Sequence, residues 1–193
     1  MSPRGVAIPN VREQLFTAAE RVLAREGPSG LTNRAITGEA GCAKGLLYNH
    51  FTDMDEFVAE LVIDRLRAAA ESAAELPSRA GQSTVVENLD AALSMLASSG
   101  PMIAGVAVTR PAVSTRVRNA LERGSPGFAA IEEAFTAYLD AEQKLGRVAG
   151  DADTGALALA ITGTMHHLLM THWAGAPDPH SRMHQLVTTL VGT

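Results

Sequence analysis

The sequence predicts an all-α protein. Apolar residues recur at spacings of three and four through most of its 193 residues, which is the period of an amphipathic helix. No stretch alternates apolar and polar residues for long enough to indicate a sheet. Glycine and proline divide the chain into segments of helical length, at Gly27, Gly41, Gly100-Pro101 and residues 124–127.

The first predicted helix covers residues 11–27. Its apolar residues form one stripe: Val11, Leu15, Ala18, Ala19 and Val22. Gly27 stands where a C′ glycine commonly ends a helix, because glycine enters the left-handed conformation without a Cβ clash.

Residues 31–51, LTNRAITGEAGCAKGLLYNHF, predict two short helices joined by a glycine turn. Thr32 can cap the first of them through its hydroxyl oxygen. Ile36 and Ala40 then share one face. Gly41 ends this helix and turns the chain sharply, so that the second helix begins within a few residues.

The second short helix, from about Lys44 to His50, has one buried and one outward side. Leu47 and Phe51 are four residues apart and are predicted to be buried. The outward positions carry residues that suit phosphate and base contacts: Lys44, Gly45, Tyr48, Asn49 and His50. Helical hairpins with glycine turns also occur in proteins that never bind DNA. The preceding helix completes a three-helix module, however, and this favours a helix-turn-helix that reads DNA.

The chain resembles the TetR family of bacterial transcriptional regulators over about residues 11–60. The resemblance rests on Leu15, Ala18-Ala19, Gly27, Leu31-Thr32, Ile36, Ala40-Gly41, Lys44-Gly45, Leu47-Tyr48 and His50-Phe51. It implies a dimeric, ligand-responsive DNA-binding protein. It also implies that Lys44, Tyr48 and His50 contact the DNA backbone and that Thr32 and Arg34 approach the backbone. Gly45, Leu46 and Asn49 would face the bases.

Three positions depart from the family pattern, and all predict weaker DNA binding. Ala43 stands where a Ser or Thr usually caps the recognition helix, which costs roughly 1 kcal/mol. Gly38 lies inside the preceding helix and costs about 1 kcal/mol relative to alanine. Met54 replaces a usual lysine and removes one expected phosphate contact.

The charge distribution indicates that DNA would bind to the N-terminal part of the chain. The chain carries a formal net charge of −5. Residues 1–51 contain six basic and four acidic side chains, whereas the remainder contains ten basic and seventeen acidic ones. The asymmetry fits a specific dimer with two modules better than a protein that coats DNA non-specifically.

Beyond the motif we expect only helices. Thr52, with Asp55 and Glu56, is predicted to start the next one. The predicted helical ranges are 52–76, 84–98, one or two helices around Pro111 within 102–123, 128–145, 154–174, and from Pro179 or His180 to 191. We divide the chain into a DNA-binding domain, residues 9–69 with its motif at 32–51, and a ligand-binding and dimerisation domain, residues 70–193.

The last two predicted helices carry apolar strips that suggest a homodimer interface. The strips are Ala156, Leu159, Ala160, Gly163, His167 and Met170, and Met183, Leu186, Val187 and Leu190. The alternative is that both strips close the core of the monomer. A two-fold dimer would hold two recognition helices about 34 Å apart and so read an inverted repeat.

The middle helices are expected, from the resemblance, to enclose a small hydrophobic or aromatic ligand. The candidate lining residues are Met95, Met102, Phe135, Tyr138, His166, Met170 and Trp173. Met and aromatic residues on helical stripes are also ordinary core residues, and this alternative stays open.

Other functions are disfavoured by the residue patterns. Cys42 has no partner for an internal disulfide and suits a small apolar filler in a cytoplasmic protein better than a redox sensor. His166, His167 and His172 do not share a helix face, so neither a metal nor another cofactor is expected. No catalytic motif indicates an enzyme. The most apolar run is shorter than the about 20 residues that a membrane span needs.

Two alternatives remain open beside the regulator. One is a helical sensor or binding protein whose DNA module has weakened. The other is a helical enzyme that uses His166 or His167 as a base.

Overall fold

The structure is a computed structural model that describes residues 10–98, 106, 110–171 and 178–192. These residues form eight α-helices and no strand, which confirms the all-α prediction. The helices are α1 Val11–Glu26, α2 Asn33–Glu39, α3 Met54–Ala74, α4 Val85–Ser98, α5 Pro111–Glu122, α6 Phe128–Lys144, α7 Thr154–Thr171 and α8 Pro179–Val191. Single 3-10 turns lie at Pro28–Gly30, Leu47–Asn49 and Leu76–Arg79.

Local capping fixes where α1 ends and where α3 begins. Gly27 ends α1 with a φ of 71°, and its N–H donates to the Leu23 carbonyl, as predicted. The start of α3 differs from the prediction by one residue. Asp53, rather than Thr52, is the N-cap, because its carboxylate accepts the Glu56 N–H. Glu56 in turn accepts hydrogen bonds from the N–H and the hydroxyl of Thr52.

A first hydrophobic core, here called the N-terminal core, joins α1, α2 and the first part of α3. Its centre is a cluster of three rings, Phe16, Phe51 and Phe57, whose centroids lie 5.0–5.9 Å apart. Aromatic pairs at such distances add to the stabilisation that burial provides. Val113 of α5 is also buried in this core, so the later part of the chain contacts the module directly.

A second hydrophobic core, the C-terminal core, begins at Ala70 and includes residues of α3, α4, α6, α7 and α8. Phe135 and Tyr138 lie at its centre and are fully buried. The N-terminal core includes α3 residues up to Val62. The change of core lies within α3, and Val113 of α5 packs in the N-terminal core. The domain boundary after residue 69 stays a prediction.

A polar network is buried beside the C-terminal core. The carboxylate of Glu142 is fully buried, pairs with the Arg147 guanidinium at 3.2 Å and accepts the Gly81 N–H at 3.3 Å. Tyr138 accepts a hydrogen bond from the Asn88 amide at 3.0 Å. Burial raises the pKa of Tyr138 well above its ordinary value. Since unpaired buried polar groups are costly, these contacts fix the loop before α4 against α6.

The two strips predicted to form an interface behave differently. On α8, Met183 and Val187 are buried in the C-terminal core, and Leu186 and Leu190 are half-buried against it. On α7, the strip faces outward. Its residues Ala156, Leu159, Gly163 and His167 are exposed, and Ala160 and Met170 are half-buried. Most of the α8 strip therefore closes the monomer, as the alternative predicted, whereas the α7 strip is uncovered in the single chain.

Candidate nucleic-acid interface

The first helix of the motif begins where the sequence predicts. Thr32 has an extended backbone, and its hydroxyl oxygen accepts the Ala35 N–H at 3.2 Å. Ile36 is fully buried in the N-terminal core. Capping and burial thus fix the orientation of α2, and they leave Thr32 and Arg34 exposed to solvent.

Gly41 makes the turn of the motif. Its φ is +66°, in the left-handed region that favours glycine. The Cys42 N–H donates to the Thr37 carbonyl at 2.9 Å, and the Gly41 N–H donates to the Gly38 carbonyl at 3.2 Å. This pair of hydrogen bonds is a Schellman motif, which satisfies carbonyls at the end of α2 and redirects the chain.

The second part of the motif, residues Ala43 to His50, is here called the recognition segment. The prediction of a helix from Lys44 to His50 is wrong in its type and length, because residues 44–46 form a turn and Leu47–Asn49 one 3-10 turn. Ala43 offers no side-chain oxygen to cap a first helical turn, and Gly45 disfavours helix. The segment therefore depends on its surroundings for its shape.

Packing and one side-chain hydrogen bond hold the recognition segment. Leu47 and Phe51 are buried in the N-terminal core, as predicted. Asn33, at the start of α2, donates from its amide to the Lys44 carbonyl at 3.1 Å. The sequence did not predict this role of Asn33, because no local pattern shows that its amide contacts a carbonyl eleven residues later in the chain.

The residues proposed to contact DNA lie on two consecutive elements that this hydrogen bond joins. Those exposed to solvent are Thr32, Arg34, Lys44, Gly45, Tyr48, Asn49 and His50. Leu46 is half-buried. Tyr48 is 52% exposed, which is unusual for a large ring in a monomer and leaves its hydroxyl accessible. A Cβ placed on Gly45 would meet nothing within 4 Å, so open space adjoins the backbone there.

Two basic side chains at this surface have no acidic partner among the described residues. Among the described residues, neither Arg34 nor Lys44 forms an ion pair, whereas Arg25 nearby is paired with Glu39 at 3.0 Å. Uncompensated basic side chains on an exposed turn are what phosphate contact requires.

One of the departures from the family pattern, Met54, has a structural explanation, and so does the single cysteine, Cys42. Met54 is half-buried and packs against the N-terminal core. Cys42 is also half-buried against this core, and burial raises the pKa of its thiol. A raised pKa disfavours the reactive thiolate, so the structure supports the role of a small apolar filler.

Two ion pairs that the sequence did not predict tie α5 to the start of α3. The guanidinium of Arg116 donates to Asp53 at 2.8 Å, and Arg110 lies 3.6 Å from Asp55. Asp53 follows the last residue of the motif by two positions. Residues more than fifty positions apart leave no local signal, and only the fold brings them together.

The candidate ligand residues do not gather around one described cavity. Phe135 and Tyr138 fill the C-terminal core. Met95 is 49% exposed, Met170 is half-buried, and His166 is exposed on α7 with its ring 4.8 Å from that of Phe128. Met102 and Trp173, like His172 of the metal hypothesis, lie outside the described residues. The ligand-site assignment stays a prediction.

A small apolar void lies nearby between α4, α7 and α8. Its volume is about 20 Å³, and its lining residues are Leu93, Met165, Leu168, Leu169, Pro179, His180 and Met183. Such a void holds about one water molecule and would have to widen to admit an effector.

Neither a metal site nor a membrane span occurs in the described part of the chain. No three histidine, cysteine or acidic side chains there are grouped so that they could hold an ion. No described helix is long and apolar enough to cross a bilayer.

The geometry defines a helix-turn-helix protein. Three helices pack around a ring cluster, and a glycine turn leads to a short, solvated segment that carries Lys44, which forms no ion pair among the described residues. Residues 15–61 match the model for bacterial regulatory proteins of the tetR family. Residues 15–61 therefore form a helix-turn-helix module of the TetR type, and this module supports a DNA-binding regulator.

Solved structures share this architecture over nearly the whole chain. Escherichia coli NemR in its reduced form has a TM-score of 0.69 at 15% identity, covering 94% of this chain and 97% of its own. The fatty acid degradation regulator FadR from Bacillus halodurans has a TM-score of 0.63 at 18% identity, covering 98% and 97%. FadR from Bacillus subtilis, in complex with stearoyl-CoA, has a TM-score of 0.61 at 18% identity, covering 94% and 98%. No curated protein matches the chain.

Proposed function

We propose that the protein is a ligand-responsive repressor that binds a palindromic operator as a homodimer and releases it when a small hydrophobic or aromatic effector binds. One observation carries the proposal. The recognition segment is solvated along its outer side, carries unpaired positive charge and is anchored to a buried core. A surface of this kind fits the major groove of DNA.

The exposed residues divide by chemistry into two sets. Lys44, Tyr48 and His50 contact phosphates through charge or hydrogen bonds, with Thr32 and Arg34 approaching the backbone from α2. Gly45, Leu46 and Asn49 face the bases. Asn49 is the residue suited to pair with adenine through two hydrogen bonds.

The dimer forms through α7 and α8, and the uncovered strip on α7 supports this. Leu159 is 56% exposed there, amid small residues that let a second helix approach closely. A two-fold axis along this face places the recognition segments about 34 Å apart, one helical turn of DNA.

The effector site belongs to the helices of residues 70–193. Its apolar character is supported by the Met and aromatic residues of α4, α6 and α7. The structure of Bacillus subtilis FadR in complex with stearoyl-CoA is consistent with this, because stearoyl-CoA carries a long apolar acyl chain.

The switch acts through α3 and α5. Helix α3 extends from the N-terminal core into the C-terminal core, and α5 contacts the start of α3 through Arg110 and Arg116. An effector that prefers one arrangement of these helices changes the spacing of the recognition segments. The coupling free energy between effector binding and DNA binding is set by the difference in the effector's affinity for the two arrangements.

Fluorescence anisotropy with the DNA upstream of its own gene tests the proposal, with scrambled DNA as the comparison. The variant Lys44→Ala with Tyr48→Ala should lose the specific binding. Lys144→Ala is a matched control, because it removes an exposed lysine far from the recognition segment and should bind like the parent protein.

Equal binding to both DNAs at low salt, followed by a failed selection from random sequences, would contradict the regulator. It would favour the alternative of a helical sensor with a weakened DNA module. Specific binding opens a search for effectors by operator release, and an effector that leaves DNA affinity unchanged would contradict the switch.

A further inference from the structure

A groove of about 370 Å³ lies between α3 and α5. Its apolar lining comes from Ala59, Ile63 and Ala120, each at most 7% exposed. Asn119 and Ser125 add neutral hydrogen-bonding groups. The volume falls in the range of about 300–1,000 Å³ that small-molecule sites occupy.

Ion pairs join the start of α3 to α5 beside this groove. Arg110, the N-cap of α5, pairs with Asp55 in the first turn of α3, so the starts of both helices lie together. Arg67 follows Asp55 by twelve residues, and Arg123 follows Arg110 by thirteen. At the rise of an α-helix each separation is about 18–20 Å along the helix. Both line the groove.

Only some of the charges in the groove have a partner among the described residues. Glu56 accepts hydrogen bonds from Thr52, and Glu60 pairs with Arg12 at 2.9 Å. Arg67 and Arg123 are exposed, and among the described residues neither has an acidic partner. Two guanidinium groups that line one groove and have no carboxylate partner among the described residues are available to bind an anion.

We propose that this groove binds a small organic anion, a carboxylate or a phosphate monoester with a compact apolar body. The apolar body packs on Ala59, Ile63 and Ala120. The anionic group takes charge-assisted hydrogen bonds from Arg67 and Arg123, and arginine is well suited to such planar anions. The site is separate from the small void between α4, α7 and α8.

The groove also contains the residue that connects it to the motif. Arg116 lines the groove while its guanidinium donates to Asp53, the N-cap of α3. An anion bound in the groove attracts the Arg116 guanidinium and weakens its ion pair with Asp53, which loosens α5 from the start of α3. This regulatory step rests on the proposed function, whereas the binding step does not.

Calorimetric titration of the full chain tests the binding. The probes are 2-naphthoate and 1-naphthyl phosphate, with 2-naphthamide as the neutral counterpart. We expect the anions to bind at least about tenfold more tightly than the amide, with an affinity that falls as salt rises. The variant Arg67→Gln with Arg123→Gln should lose about tenfold or more in affinity for the anions.

Arg118→Gln is the matched control, because Arg118 is an exposed arginine of α5 outside the groove lining. It should bind the anions like the parent chain. Equal affinity for amide and anions, full affinity in the double variant, or no binding up to about 10 mM would overturn the site. Circular dichroism confirms that the variants keep their helices.

Anisotropy with operator DNA then tests the coupling. The anion should change the DNA affinity of the parent chain, and Arg116→Gln should remove that change. The two proposals fail separately. A chain that binds the anions but no specific DNA contradicts the regulator and keeps the site, whereas a chain that binds specific DNA but no anion contradicts the site alone.

Discussion

At the scale of single residues, the recognition segment is shaped less by its own sequence than by its neighbours. Ala43 cannot cap it, and only one 3-10 turn forms. Leu47 and Phe51 anchor it by burial, and the Asn33 amide holds the Lys44 carbonyl. Anchoring of this kind keeps the exposed residues in place without a regular helix.

Asn33→Ala should therefore weaken specific DNA binding more than it destabilises the protein. The variant loses one hydrogen bond, which is worth about 1 kcal/mol of unfolding free energy. It also frees the start of the segment that carries Lys44 and Tyr48. Urea denaturation and anisotropy with specific and scrambled DNA measure the two effects. Unchanged discrimination between these DNAs would show that Asn33 does not position the segment.

At the scale of helices, capping by acidic side chains fixes where α3 and α4 begin. Asp53 accepts the Glu56 N–H, and this hydrogen bond, with a smaller effect from Arg116, lowers the pKa of Asp53. Glu87 and Thr84 bond reciprocally at the start of α4, and the pKa of Glu87 is lowered mainly by the Thr84 N–H.

These lowered pKa values predict a loss of thermal stability in acid. A carboxylate with a depressed folded pKa stabilises the fold fully above its unfolded pKa, and this contribution disappears as the pH falls through the folded value. The unfolded values are 3.8 for Asp53 and 4.5 for Glu87, so the loss should begin near pH 4.5. Melting temperatures of Asp53→Asn with Glu87→Gln should change less over this range than those of the parent. Glu133→Gln, at an exposed site on α6, should follow the parent, and identical curves for all three would refute the assignment.

The buried Glu142 network predicts a second effect at the scale of helices. Glu142→Ala leaves Arg147 and the Gly81 N–H without their acceptor and should cost about 2–3 kcal/mol of unfolding free energy, because Arg147 keeps partial access to water. Glu142→Gln keeps an oxygen for Gly81 and should cost less. Denaturant titration measures both, with the exposed Glu133→Ala as the control. A loss under about 0.5 kcal/mol, typical of a surface site, would contradict the role of the network.

At the scale of the whole molecule, one face of the chain suits a second copy. The α7 strip is uncovered, whereas most of the α8 strip already packs in the C-terminal core. We therefore expect α7 to carry most of the contact between subunits.

Leu159→Lys should convert a dimer into monomers and greatly weaken operator binding, because it places charge in the centre of the proposed interface. Leu145→Lys is a close control, since Leu145 is equally exposed at 56% but lies at the end of α6. Sedimentation velocity gives the oligomeric state, and anisotropy gives the DNA affinity. A Leu159→Lys protein that sediments like the parent dimer would exclude this face as the interface.

The sequence by itself determined the all-α fold, most helix boundaries and the position of the motif. These features depend on local signals: apolar periodicity, the Thr32 cap and the glycines at 27 and 41. The identity of residues buried beside the turn, such as Leu47 and Phe51, followed from the same spacing.

Only the tertiary structure decided how the recognition segment is held, which strip stays exposed and what α5 contacts. Helix packing makes neighbours of Asn33 and Lys44 and of Asp53 and Arg116. It also places Arg67 and Arg123 in one groove. A strip that is equally apolar in sequence is buried on α8 and exposed on α7. Local patterns fix the period of a helix and its ends, whereas the choice of neighbours depends on the free energy of the whole packed chain.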